Sequence, residues 1–513
     1  MSNNTVSEEK SSSLASTAYG AAIFYVGRLI QYPLEFIFNI ILSNYLGPAG
    51  YGLVTFADTI LKSLLNFSDL GTDNALMRFI PTSDDNNYKQ DIVGLSLVSV
   101  LIVSSALAIS IVVLSPSISN YTLDSDIFTQ VLRYFAVLIP LYGLIRVIQN
   151  SFRSLELPLF QLTISEILVP TSRLTAVIGS ILLIEFGGLN GEPVIIISIF
   201  FVAITLVLSV SSMVAFYQKT DLEFSVPTER GLLKKYFSYS LPLTFGQTGY
   251  FLVNQADIII VSLLLTGSDV GLYKSAAVIA TVVLLPLTGL NQIFPPRASN
   301  LYGSGEFSEL NSFYKTITRW SLTGSLPIVI LIVVFGDIIL SYFGDGFAVA
   351  YPILIILASR GMIESSSGPC GYMLMMTDNE RLVLINNWLL GMSNVILNFI
   401  LIDAIGLRGA AVATLISVGI VNPIRIIEVW YFEGFHPFER NIYKPLVAGG
   451  VCLSSLALIS YQLAGILSLI FGLIVAPTVY LICLALLGFE EEDYQLANEL
   501  GIIKSLSNVW ENI

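Results

Sequence analysis

The sequence predicts an all-α polytopic membrane protein of about 14 transmembrane helices: two six-helix lobes in a parallel pseudo-twofold repeat, plus a C-terminal helix pair. Three observations predict it. Of 513 residues, 54% are hydrophobic and 12% charged, at a mean hydropathy of +0.78, where a soluble domain would carry about 25% charge. Apolar runs long enough to span roughly 30 Å of hydrocarbon recur along the whole chain. Two segments of the chain repeat each other at one offset. The runs are continuously apolar, so they suit helices; a transmembrane barrel would alternate polar and apolar residues in strands of about 10.

Turn and charge signals divide the hydropathy as follows. Polar residues 1–16 read as a disordered cytoplasmic lead without a basic n-region or cleavage site. The first six spans run over 17–43, 52–80, 92–115, 127–153, 159–186 and 193–217, forming an N-lobe from 17 to 217. The longest polar interruption, 218–235, is a cytoplasmic linker. The second six run over 236–265, 270–298, 317–343, 347–377, 382–403 and 408–432, forming a C-lobe from 236 to 432. A last pair, 441–464 and 466–488, occupies the segment 433–488, and 489–513 is a cytoplasmic tail with helical spacing of apolar residues.

Basic residues orient these spans. Lys89, Arg153, Lys219, Arg230, Lys234, Lys235, Arg297, Lys315, Arg319, Arg381, Arg440 and Lys444 follow even-numbered spans, while loops after odd-numbered spans hold little beyond Arg408. Both termini are therefore expected in the cytoplasm, with the chain spanning the cell (plasma) membrane.

The repeat is visible in short motifs. "YGLVTFADTI" from Tyr51 matches "VGLYKSAAVI" from Val270, and "IEFGGLNGEPV" from Ile184 matches "IDAIGLRGAAV" from Ile402, at offsets of 219 and 218 residues. Six spans per copy is even, so the copies share one topology, as in transporters whose halves are related by an axis along the membrane normal.

Composition also excludes functions. Cys370, Cys452 and Cys483 lie in apolar context without CxxC spacing and read as buried hydrophobes. His436, beside Pro437, is the sole histidine. A net charge of −13 argues against nucleic acid as a partner. Acid concentrates in "TSDDNN", "TLDSD" and "EEED", and an acidic surface with few lysines suits a high-salt cytoplasm, as in halophilic archaea. No catalytic triad, metal cluster or phosphate-cradling loop is present, so the chain does not read as an enzyme.

Ionisable residues inside the spans are the functional signal. Each costs roughly 2.5–3.5 kcal/mol at a helix centre, and about ten of them on the order of 30 kcal/mol, so they must face water or one another. Arg28 and Glu35 share a helix face at i,i+7, as do Glu166 and Arg173; Arg360 and Glu364 stand at i,i+4, and Arg425 and Glu428 at i,i+3. Opposite charges at such spacings can pair along one helix. Asp58, Arg146 and Asp257 lie in other spans. Structural ion pairing is one reading. The other is a hydrated chamber whose arginines hold an anionic head group, Arg being suited to bidentate phosphate recognition. On that reading Arg28, Glu35, Asp58, Arg146, Glu166, Arg173, Arg360, Glu364 and Arg425 are the head-group residues. Pro33, Pro170, Pro242, Pro286 and Pro352 can kink spans around it.

"LSNYLGPAGYGL" from Leu42, "SDLGTDNALMRFIP" from Ser68, "DVGLYKSAAVI" from Asp269, "FPPRASNLY" from Phe294 and "GLRGAAVATLIS" from Gly406 resemble the Wzx-type polysaccharide flippases of the multidrug/oligosaccharidyl-lipid/polysaccharide exporter superfamily. The resemblance runs over about 15–490. It implies a transporter that moves a lipid-linked oligosaccharide, on a polyprenyl or dolichyl phosphate carrier, from the cytoplasmic to the outer leaflet by alternating access. Its product would feed a surface polysaccharide or protein N-glycosylation. Membrane lipids surround it, and glycosyltransferases or an oligosaccharyltransferase of the same pathway are candidate partners. Related lipid II flippases carry a sodium site, which maps here onto Asp257, Asn394, Asn398 and Thr414, with the Ala410 carbonyl as a further ligand. The oxygen donors suit a hard cation. Asn398 stands where those flippases have an acid, so the site holds one negative charge fewer; polar contacts between helices are the other reading of these residues. Proton coupling through Glu35 or Asp58 is the alternative, and no other cofactor is expected.

Two other functions compete. A cation-coupled multidrug exporter of the same superfamily would have a more aromatic, more acidic cavity with fewer arginines. A polytopic glycosyltransferase would need a sizeable outer domain, whereas the longest outer loop, around "SISNYTLDSD", has about 12 residues.

Overall fold

The computed structural model describes the backbone of residues 2–220, 222, 225, 230–463, 465–488, 490 and 493, and their side chains except at 2–26, 230, 243 and 245–254. All regular structure among the described residues is helical. In chain order the α-helices are α1 Ser2–Ser68, α2 Thr72–Phe79, α3 Asn86–Tyr121, α4 Asp126–Ser154, α5 Pro158–Leu162, α6 Val169–Glu185, α7 Pro193–Lys219, α8 Arg230–Leu264 and α9 Gly267–Thr281. They continue as α10 Leu285–Gly303, α11 Phe307–Ser341, α12 Tyr351–Ser367, α13 Cys370–Met376, α14 Glu380–Ile405, α15 Leu407–Glu433, α16 Tyr443–Gln462 and α17 Ile466–Leu487.

Eleven segments among the described residues are long and apolar enough to cross a membrane, from Asn86–Tyr121 to Ile466–Leu487. Their outward faces show which solvent they meet. On α7, Val207 is 65% exposed and Val210 56%, where a helix facing water would present charge. The chain is a multi-pass membrane protein.

The predicted boundaries hold within a few residues for most spans, and the departures have local causes. The first two spans form one long helix, α1, broken at Gly47 (φ 66°, ψ 178°), a conformation closed to residues with a Cβ. Helical backbone begins at Ser2, although 1–16 was expected to be disordered; Glu8, Glu9 and Lys10 are good helix formers. The second span, expected to reach residue 80, stops at Ser68, because Leu70 (φ 51°) and Gly71 (φ 70°) turn the chain through left-handed backbone before α2. The tail expected over 489–513 lies outside the described residues, apart from Glu490 and Asp493.

The chain divides into two compact units. Unit 1 comprises Met1–Lys274 with Phe343–Asp345, and unit 2 comprises Ser275–Tyr342 with Gly346–Ile513. The core of unit 1 is apolar and partly aromatic. Phe79, Ile92, Ile148, Phe152, Phe216 and Tyr236 are buried together, and Phe152 packs between Phe160 and Phe216 at centroid distances of 5.3 and 5.4 Å. The repeated "YGL" and "VGLYK" motifs meet in this unit. A Cβ on Gly52 would stand 1.8 Å from the Gly267 carbonyl oxygen, and one on Gly271 would stand 2.1 Å from that of Pro48. The second half of α1 and the start of α9 therefore touch backbone to backbone, which only glycine allows.

Among the described residues, unit 2 includes two apolar clusters. One gathers Phe294, Phe313, Tyr314, Met373 and Val429; the other gathers Phe335, Cys452, Leu456, Ala476 and Tyr480, packing α16 and α17 against α11. Past α17 a polar clamp ties the chain back to α11. Arg319 donates to both carboxylate oxygens of Asp493 at 2.8 Å, and the Trp320 indole N–H donates at 2.6 Å. Glu439 stands 3.6 Å from Arg319 Nε, and Lys444 bonds Glu490.

Candidate functional site

The membrane-embedded charges do not pair as their spacing along single helices suggested; most pair between helices. Glu166 and Arg173 are seven residues apart, which is about 10 Å of rise. Glu166 lies within the π-helical turn Thr163–Leu168, whose wider winding takes it off the face it would share with Arg173 on a regular α-helix. Glu166 instead faces α1, with its Oε2 3.5 Å from Arg28 Nε. Arg173 Nη2 reaches Asp58 Oδ1 at 3.1 Å.

Two linked groups result in unit 1. In the first, Arg28 donates to Gln31 at 3.1 Å and Gln31 donates to Glu35 at 3.1 Å, so the expected Arg28–Glu35 pair is relayed through an amide. In the second, the two oxygens of Asp58 serve two cations: Oδ1 takes Arg173, and Oδ2 takes Lys62 Nζ at 2.9 Å. The Arg173 guanidinium lies over the Phe38 ring, 4.5 Å from its centroid. Lys274 and Glu35 are near enough for their charges to act on this group. Asp58 thus holds two cations directly, with the charges of Lys274 and Glu35 acting on the group, in a chain whose net charge is −13. Arg146 sits apart from both groups. It donates to Asn66 Oδ1 at 3.1 Å and stands 4.0 Å from both Asp69 and Asp73.

Unit 2 keeps one expected pair and replaces another. Arg360 and Glu364 pair at 3.1 Å across one helical turn. Arg425 and Glu428 do not, because asparagines of α14 take both of them. Arg425 donates to Asn387 at 2.8 Å and to Asn422 at 3.2 Å, while Asn386 donates to Glu428 at 2.5 Å.

Three of the four sodium candidates also meet in unit 2. Asn394 donates to Thr414 Oγ1 at 3.1 Å, Asn398 donates to the Asn394 carbonyl at 2.9 Å and to its Oδ1 at 3.2 Å, and Thr414 donates to the Ala410 carbonyl at 3.1 Å. All three side chains are buried. The oxygens suit sodium in kind, and the Asn394 and Asn398 amide N–H groups and the Thr414 hydroxyl are engaged within the cluster and with the Ala410 carbonyl. Asp257 belongs to unit 1, where the Tyr273 hydroxyl donates to it at 2.7 Å.

Sequence reasoning missed Lys62 and Lys274. Lys62 had a signal, standing four residues after Asp58 on the same helix. Lys274 lies inside the repeated motif, and only the fold brings its charge to bear on Asp58.

Comparison with known proteins gives a consistent picture. A family profile described as polysaccharide biosynthesis protein matches residues 18–300, more than half the chain, and a MatE profile matches 242–400. The probable low-salt glycan biosynthesis flippase Agl15 of Haloferax volcanii is 28% identical over 264 residues, which is 51% of this chain and 53% of that protein. The chain thus matches about half the length of that relative. An uncharacterized membrane protein of Methanocaldococcus jannaschii, MJ1068, is 22% identical over 82% of this chain and 85% of its own. Among solved structures, the lipid II flippase MurJ in an inward closed conformation superposes with a TM-score of 0.74 at 15% identity, covering 91% of this chain and 98% of that one. An inward-facing MATE family multidrug resistance transporter superposes with a TM-score of 0.68 at 15% identity, over 81% of this chain and 98% of its own. At such identities the likeness is one of fold.

Proposed function

Because the chain belongs to the polysaccharide biosynthesis protein family, we propose that it is a flippase, not an enzyme, carrying a lipid-linked oligosaccharide from the cytoplasmic to the outer leaflet. The observation that carries this reading is the cationic group around Asp58. Arg173, Lys62 and Lys274 all lie within the matched stretch 18–300, and cations held inside a membrane protein suit the phosphate or diphosphate of a lipid carrier. Within unit 1, Arg28 and Arg146 are further candidates for head-group contact, with Glu35 and Glu166 as local counter-charges; within unit 2 the candidates are Arg360, with Glu364 beside it, and Arg425. The Haloferax relative, named for glycan biosynthesis, supports a glycan as the cargo.

The topology follows from the same reading. The eleven apolar segments, α1 on either side of Gly47, and α8 form 14 spans, as two six-helix repeats and a C-terminal pair. Both termini lie in the cytoplasm, as the basic loops require. Asn394, Asn398 and Thr414, together in unit 2, are candidate oxygen ligands for sodium.

A leaflet assay tests the function. Deleting the gene accumulates lipid-linked glycan on the cytoplasmic side, and wild type restores export. Arg28→Ala and Arg360→Ala insert normally and do not restore it. Export by these variants at the wild-type rate would remove the head-group assignment. The MatE match over 242–400 favours a second reading, a cation-coupled multidrug exporter; under it, deletion changes sensitivity to cationic drugs and leaves the glycan distribution untouched.

A further inference from the structure

A carboxylate is an unexpected group to place among cations that must receive phosphate, because like charge repels. Asp58 is nevertheless held there by both of its oxygens, one on Arg173 at 3.1 Å and one on Lys62 at 2.9 Å. A phosphate would make the same two-point contact, since two of its oxygens are spaced much as those of a carboxylate. Arg173 is also seated on Phe38, 4.5 Å from the ring centroid, so it would stay in place if its partner left. The Lys62 side chain is 48% exposed, so the bridge is open on that edge, while the Asp58 and Arg173 side chains are 12% and 16% exposed.

Resting on the flippase reading above, we infer that Asp58 is an internal counter-ion occupying a phosphate subsite. It bridges Arg173 and Lys62 until the phosphate or diphosphate of the lipid carrier takes both cations. Two requirements make such a device useful. Three cations in a low-dielectric interior cannot stand unneutralised between transport events. A transporter must also hold its cargo weakly enough to release it, and a carboxylate that returns to the same cations competes with the phosphate and speeds its exit.

The test uses the purified full-length protein in detergent, with geranyl phosphate and geranyl diphosphate as probes and titration calorimetry as the readout. Asp58→Asn binds the better probe about tenfold more tightly than wild type, since the competing charge is gone. Asp58→Glu keeps wild-type affinity, and Arg173→Gln loses binding. The probe that gains more from Asp58→Asn identifies the carrier head group. If Asp58→Asn binds no more tightly than a wild-type protein that does bind, the counter-ion role falls and the head-group site stands. If neither protein binds either probe, both fall. Should Asp58→Asn fail to fold, wild type alone decides, through probe-induced difference infrared spectra with isotope-labelled aspartate. Displacement shifts a carboxylate band of aspartate; an unshifted spectrum at saturating probe overturns the inference.

Discussion

At the scale of single residues, burial sorts the membrane charges by how much each pair matters. The Arg28 side chain is 40% exposed and 3.5 Å from Glu166. Arg173 and Asp58 are 16% and 12% exposed and 3.1 Å apart. Exposed pairs contribute about 0.2–1 kcal/mol, whereas losing one partner of a buried pair costs about 3–5 kcal/mol. A double-mutant cycle in detergent, using Asp58→Asn and Arg173→Gln and read by thermal unfolding, is therefore expected to give a coupling of about 2 kcal/mol or more. The cycle for Arg28→Gln and Glu166→Gln should stay near 1 kcal/mol or below. The sequence let one see that these charges were present and needed partners, because their cost depends only on residue type and depth. The partners themselves were legible only within one helical turn, as for Arg360 with Glu364. Arg173 and Asp58 stand 115 positions apart, and no periodicity links them.

At the scale of helices, span ends were legible because hydropathy and turn residues are local, and so the predicted and observed limits of α7, α14, α15 and α17 nearly coincide. The Asp493 clamp was not, since "EEED" reads as one more acidic tail until Arg319 is placed opposite it. Burial works to raise the pKa of Asp493. The hydrogen bonds from Arg319, Trp320 and the Glu490 N–H, with the Arg319 charge, outweigh it and hold the carboxyl below its ordinary range. A depressed folded pKa means the clamp is fully present above the unfolded value, near 3.8, and is lost only as pH falls through the lower folded one. The thermal midpoint should therefore owe nothing to this group's titration between pH 7 and 5. Asp493→Asn should cost about 2 kcal/mol at pH 7, less than a fully orphaned charge because Glu439 still faces Arg319. A midpoint that falls between pH 7 and 5 in wild type but not in Asp493→Asn would contradict this. The glycine contact between α1 and α9 gives a second expectation. Gly→Ala in a helix ordinarily gains about 1 kcal/mol, but a methyl 1.8 Å from the Gly267 oxygen forces the backbones apart. Gly52→Ala is accordingly expected to lose about 3 kcal/mol net, measured by unfolding in detergent; a neutral or stabilised variant would show that the two helices do not meet there.

At the scale of the whole molecule, the proposed cargo and the membrane potential together bear on whether a coupling ion is needed. Moving one elementary charge across 100 mV is worth about 2.3 kcal/mol. A head group with two negative charges leaving a negative interior would thus gain on the order of 4–5 kcal/mol without any ion gradient. That is enough to bias leaflet populations more than a thousandfold. The sodium candidates fit a secondary role better than a driving one, because Asn394, Asn398 and Thr414 bond to one another and Asn398 brings no charge. In proteoliposomes carrying an anionic lipid-linked sugar, an inside-negative potential set by potassium and valinomycin should therefore drive outward movement in sodium-free buffer. Collapsing the potential should slow it at least tenfold, and adding a sodium gradient should change it less than twofold. Asn398→Asp should raise the sodium response by restoring a charged oxygen ligand. Movement that ignores the potential but stops without sodium would reverse the assignment, making the asparagine cluster the engine and the Asp58 group a binding site alone.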